Sequence, residues 1–223
     1  MTQKNQKIDR IFKILKEELK NYFNPLVSQE KWDEIPKTPF TTLISCILSL
    51  RTKDEITDEA SIKLLKEYNT PKEIIQLPDE KIQEIIYPVG FYKVKSKRIK
   101  NISKTLIEEY DGKVPKDFKE LLKLKGVGRK TANIVMTYGF NQKKFLPIDT
   151  HCHRIPNRIG WINTSTAEET EKELKKILPQ KYWHDFNHLF VKFGQNICLP
   201  VSPFCSKCPI EKYCEQKGVK KKR

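Results

Sequence analysis

Apolar residues recur at intervals of three and four along almost all of the 223-residue chain, as Ile11, Ile14, Leu15, Leu19 show in one segment and Leu43, Ile44, Ile47, Leu48 in another. At 3.6 residues per turn this spacing gathers the apolar side chains on one stripe, which has to be buried against a neighbouring helix. Alternating strand patterns are almost absent. The pattern predicts an all-α fold, with helices at approximately 8–22, 39–50, 53–68, 79–86, 93–110, 117–124, 129–139, 150–159, 167–178 and 181–196. Local stop and start signals agree. Thr52 or Asp54 can cap the third segment, Pro78-Asp79 can open the fourth, and Asp111-Gly112 follows the long fifth one.

An apolar fraction of 38% fits a folded protein, and 43 Lys plus Arg against 28 Asp plus Glu leave a charge of +15. Such an excess favours a polyanionic partner, nucleic acid first, although a solvated basic surface gives the same total. Lys93, Lys97, Lys100 and Lys104 share one helix face opposite Ile99, Ile102 and Leu106. That stripe reads as the wet side of an amphipathic helix, with a weak phosphate contact as its functional alternative. The end, KGVKKKR from Lys217, reads as a disordered solubilising tail. The start, MTQKNQKIDR, has no apolar h-region, and no segment approaches the roughly 18 apolar residues of a membrane span. An intracellular protein of cytoplasm or nucleoid, without a membrane partner and acting as a monomer, is expected.

The stretch KLKGVGRKTANIV, residues 123 to 135, holds two glycines and Lys-Thr, as a nucleotide-binding phosphate loop does. The register is wrong for one, because Arg129 separates Gly128 from Lys130. Gly126 and Gly128 around Val127 instead allow a tight reversal between two helices. Backbone N–H groups are then exposed at the start of the second helix, where an anion such as a phosphodiester is favoured. Lys130 falls at that helix start beside Arg129. Both influences disfavour its ammonium form and free the amine to act as a nucleophile. Asp149, in LPIDTHCHR, is placed to cap the helix that begins at Thr150.

Cys198, Cys205, Cys208 and Cys214 form C-x6-C-x2-C-x5-C, and four soft ligands so close in sequence imply a metal centre rather than disulfides. Only Cys205 to Cys208 has the form of a zinc knuckle, and the residues alone leave zinc and iron-sulfur open.

The segment LKGVGRKTAN resembles the helix-hairpin-helix motif of the endonuclease III family of DNA glycosylases. The Asp149 segment and the cysteine spacing follow in that family's order. The resemblance therefore covers nearly the whole chain, and it implies base-excision repair. Lys130 would attack the anomeric carbon of a damaged nucleoside, an oxidised pyrimidine for preference, and form a Schiff base with the opened sugar. Asp149 would take the lysine proton and stabilise the cationic sugar, and abasic sites would be cleaved by β-elimination with no divalent metal. The partner would be double-stranded DNA containing damaged bases or abasic sites. The resemblance assigns the four cysteines to a 4Fe-4S cluster at 198–214 with a structural role. It further implies a six-helix barrel over 32–142, containing the hairpin near 117–139, and a cluster lobe from 1–31 and 143–223. Gly126, Gly128 and Arg129 would meet DNA.

Two further positions follow from it. Arg51 stands where the family often has a glutamine that fills the gap left by a flipped base, and Phe91 where it often has a leucine wedge; packing is the alternative for Phe91. The loop Leu199 to Phe204 lacks the basic residues common there, and Lys207 and Lys212 are the nearest substitutes. His184 and His188 imitate a metallopeptidase helix but lack its glutamate, and Cys46 and Cys152 lie on apolar helices as packed thiols. Two rivals remain: a related glycosylase with another lesion specificity, and a non-catalytic DNA-binding protein that would need neither Lys130 nor Asp149.

Overall fold

The computed structural model describes residues 3–22 and 33–223, and among these no strand occurs. The chain divides into two compact units, one of Met1–Phe23 with Lys143–Arg223 and one of Asn24–Gln142. The division expected between 31 and 32 lies outside the described residues. Helix α1 (Gln3–Glu18) opens the first unit. The second contains α2 (Pro39–Ser49), α3 (Asp54–Leu65), α4 (Pro71–Gln76), α5 (Asp79–Ile86), α6 (Tyr92–Tyr110), α7 (Phe118–Lys123) and α8 (Arg129–Ile134), which runs on as a π turn over Val135–Gly139. The first unit resumes with α9 (Thr150–Ile159), α10 (Ala167–Ile177) and α11 (Trp183–Asn196). Among the described residues no helix is long and apolar enough to cross a membrane.

The Asn24–Gln142 unit is built around α2, which packs against α3, α6, α8 and the π turn. Leu43, Ile44, Ile47 and Leu48, the predicted stripe, are wholly buried. A short helix, α4, stands where the periodicity gave none. Its six residues are too few to show a repeat, yet Thr70-Pro71-Lys72-Glu73 forms a capping box, with Glu73 Oε2 accepting the Thr70 N–H at 2.9 Å. The residue before α3 also differs from expectation. Its N-cap is Lys53 with no side-chain bond, Asp54 sits in its first turn, and Thr52 is turned to other partners described below. Of the lysine stripe on α6, Lys100 pairs with Asp79 at 3.1 Å and Lys104 with Glu108 at 3.7 Å, as a solvated face does.

In the other unit α1 is docked by Ile8, Ile11, Phe12 and Leu15, all buried, in one cluster with Trp161, Phe186, Phe190 and Phe193. Phe12 stacks on Tyr182 with centroids 4.0 Å apart. Burying four such side chains is worth about 1.5–3 kcal/mol each. The exposed Lys16–Asp185 pair adds only about 0–1 kcal/mol, so apolar packing holds this helix. The tail is not the free end expected. Arg223 N–H bonds to Pro203 O at 2.9 Å, Ser206 N–H to Arg223 O at 2.9 Å, and the Arg223 guanidinium lies 4.1 Å from the Phe204 ring centroid. Backbone pairing and a cation–π contact outweigh the solubility of its lysines.

Candidate functional site

Asp117 starts the hairpin by capping α7, its Oδ1 accepting the N–H groups of Lys119 at 2.8 Å and Glu120 at 3.1 Å. Leu121, Leu124 and Val127 are buried and anchor the turn from inside. The two glycines differ. Gly126 has φ +89, and a Cβ there would lie 2.6 Å from Arg98 Cδ, so the fold itself requires glycine. Gly128 has φ −96, which any residue adopts, and a Cβ there meets nothing within 4 Å. Gly126 is thus needed by the backbone whatever it meets, whereas at Gly128 only open space lies where a side chain would be. Helix α8 has Gly128 as its N-cap, and its first two residues, Arg129 and Lys130, are exposed while Thr131, Ala132 and Asn133 are buried. Arg129 lies over the Phe118 ring at 5.4 Å. On α2, burial pushes the Cys46 thiol up to about 12 against the pull of nearby Lys130, so Cys46 stays a neutral thiol.

Arg51 and Phe91 form an exposed pair in the same unit, the guanidinium 5.9 Å from the ring centroid. Phe91 is 61% exposed, which removes packing as its reason. Both residues are left-handed, with φ 54 and 58, a conformation that costs a non-glycine residue about 1–2 kcal/mol.

In the other unit Asp149 is half-buried and caps α9, its Oδ1 accepting the Cys152 N–H at 2.7 Å. Asn187 Nδ2 donates to Pro147 O at 3.3 Å, fixing the segment that leads into it. His184 is paired with Asp185 at 3.4 Å, and Cys152 is fully buried, in keeping with packing roles.

Cys198, Cys205, Cys208 and Cys214 line one cavity with Arg158 and Phe204. Two arginines on α9, which no sequence motif singles out, brace this loop. Arg158 donates to Leu199 O and Pro200 O, both at 2.6 Å, and to Cys198 Sγ at 3.5 Å. Arg154 donates to Cys198 O at 2.7 Å. Their signal was a four-residue spacing that puts both guanidinium groups on one helix face. The Gln216 N–H points at Cys214 Sγ from 3.4 Å. Burial pushes Cys208 up to about 12 and raises Cys205 and Cys214. Such thiols ionise when a metal centre supplies positive charge. Among the described residues no group of three or more His, Cys, Asp or Glu converges on a single metal ion.

Residues 44–180 match the HhH-GPD superfamily of base excision DNA repair proteins. Endonuclease III of Thermotoga maritima is 50% identical over 177 residues, 79% of this chain and 83% of that one. Endonuclease III of Rickettsia conorii is 38% identical over 210 residues, 94% of this chain and 96% of that one. Among solved structures, a trapped endonuclease III–DNA covalent intermediate superposes with a TM-score of 0.80 at 32% identity, covering 97% of each chain.

Proposed function

The chain belongs to the endonuclease III family of base excision DNA repair glycosylases, and on that premise we propose that it excises oxidised pyrimidines from double-stranded DNA and nicks the abasic site through a Schiff base on Lys130. The observation that carries this reading is the hairpin. An exposed lysine stands at the start of a helix whose N-cap is a glycine with open space over it. A phosphodiester is the kind of anion that the N–H groups and dipole of a helix start favour. Lys130 Nζ attacks C1′ of the damaged nucleotide, the glycosidic bond breaks, and its electron pair leaves with the base. Asp149 accepts the proton that the ammonium must lose and offsets positive charge developing on the sugar. Ring opening gives an iminium, which acidifies the neighbouring sugar proton. Loss of that proton expels the 3′ phosphate and nicks the strand. Amine and carboxylate suffice, so activity persists in EDTA.

The four cysteines that line one cavity, Cys198, Cys205, Cys208 and Cys214, would hold the 4Fe-4S cluster we propose. Its N–H···S donors from Arg158 and Gln216 suit an anionic sulfur shell. The cluster would supply structural cross-linking of the loop; iron and sulfide analysis with visible absorption tests for it, and zinc without sulfide contradicts it. The setting is intracellular, in cytoplasm or nucleoid.

Borohydride added to protein and abasic-site duplex should reduce the imine to a covalent protein–DNA band. Lys130→Gln should lose the band and keep binding. Persistence of the band in that variant makes another amine the nucleophile.

A further inference from the structure

We infer that Lys95 is a positioning residue whose buried side chain locks the Arg51–Thr52 turn onto Gly90, so that Arg51 and Phe91 enter the duplex as one two-part wedge. Lys95 lies on the apolar seam of α6, in line with Ile99, Ile102 and Leu106, and is 3% exposed. An apolar residue would serve that seam better, so stability alone does not account for an ammonium there.

Its bonds do. Nζ donates to Leu48 O at 2.6 Å, among the last carbonyls of α2, where a cation is favoured. It donates also to Thr52 Oγ1 at 2.8 Å. That hydroxyl accepts the Gly90 N–H at 3.1 Å and donates to Leu50 O at 3.4 Å, so its capacity is filled. A Cβ at Gly90 would lie 2.7 Å from Arg51 O, which shows how closely the two turns meet. The side chain thus holds the Arg51 turn against Gly90, next to Phe91, and Phe91 is itself held as the N-cap of α6, its carbonyl accepting the Val94 N–H at 2.9 Å and the Lys95 N–H at 3.0 Å. Both wedge residues have positive φ, a conformation that persists only where surroundings impose it. Burial, with Arg98 adding, lowers Lys95 to about 8, so it keeps its proton at neutral pH.

What the wedge enters rests on the glycosylase reading; the lock is a property of the free protein. Limited trypsin digestion tests the lock without DNA, by comparing cleavage after Arg51 with cleavage after the exposed Lys113. Lys95→Met should raise that ratio about tenfold, the scale of one charged hydrogen bond. An unchanged ratio overturns the lock. A duplex with 2-aminopurine opposite an abasic site then reports wedge insertion. Lys95→Met should slow the fluorescence rise about tenfold in the presence of Arg51 and less than about twofold in an Arg51→Ala background. Equal slowing in both backgrounds means that Lys95 does not act through Arg51, and overturns the inference. Should Lys95→Met not fold, Thr52→Val removes only the hydroxyl and enters the same two measurements. A wild-type protein that removes no base while the trypsin ratio still shifts sinks the repair reading and leaves the lock standing.

Discussion

The hairpin around Val127 and the cysteine loop are both short and both present reactive side chains, but one is open and the other is braced. In the hairpin, α8 begins at Gly128, which has open space where a side chain would be, and Lys130 is exposed. In the cysteine loop the carbonyls of Cys198, Leu199 and Pro200 each take an arginine N–H, and Arg223 folds back to bond with Pro203 and Ser206. An open, exposed turn suits a partner that arrives and leaves, because nothing has to move aside for it. Satisfied groups suit a centre that stays, because a fixed cage is already organised for it.

The comparison can be broken most decisively on the chemical side. Asp149→Asn keeps a side-chain oxygen to cap α9 but removes the charge. Base removal should slow by about 10²–10³, the scale of losing one electrostatic partner of the transition state. Thermal unfolding should hardly move. A variant that unfolds as easily as it loses activity would reduce Asp149 to a cap.

The cage is tested by Arg158→Met, which keeps an apolar stem and leaves two carbonyls without donors. A loss of about 2–4 kcal/mol is expected by denaturant titration, together with iron content. Unchanged stability would mean that the loop does not depend on its brace.

Gly128→Val should have the smallest effect. Because a Cβ there meets nothing within 4 Å, the protein should fold normally. Binding to all duplexes should weaken about tenfold irrespective of sequence, since phosphate contacts carry no base information. Full affinity in the folded variant would remove Gly128 from the interface.

Much of this was legible in the chain. The three- and four-residue spacing predicted α2 and the buried face of α1, and the Asp149 cap followed from one residue before Thr150. Helix α4 escaped because six residues show no period, although its capping box was written in Thr70 to Glu73. Thr52 was read as a cap because Ser and Thr before a helix usually are; its hydroxyl instead serves Gly90 and Lys95. The tail was misread from its charge, since the partners that hold Arg223 belong to the cysteine loop.

The sequence by itself determined the helices, the glycine reversal, the placement of Lys130 at a helix start and the grouping of four thiols. All of these depend on residues within a few turns of one another, where backbone geometry fixes the outcome. Only the tertiary structure decided which polar side chains turn inward and what they hold. Lys95 looks like one more lysine on a basic helix until Leu48, 47 positions earlier, brings a carbonyl to it. Arg158 gains its role from Leu199, 41 positions later. A buried cation requires acceptors in fixed places, and those places exist only once distant segments have packed.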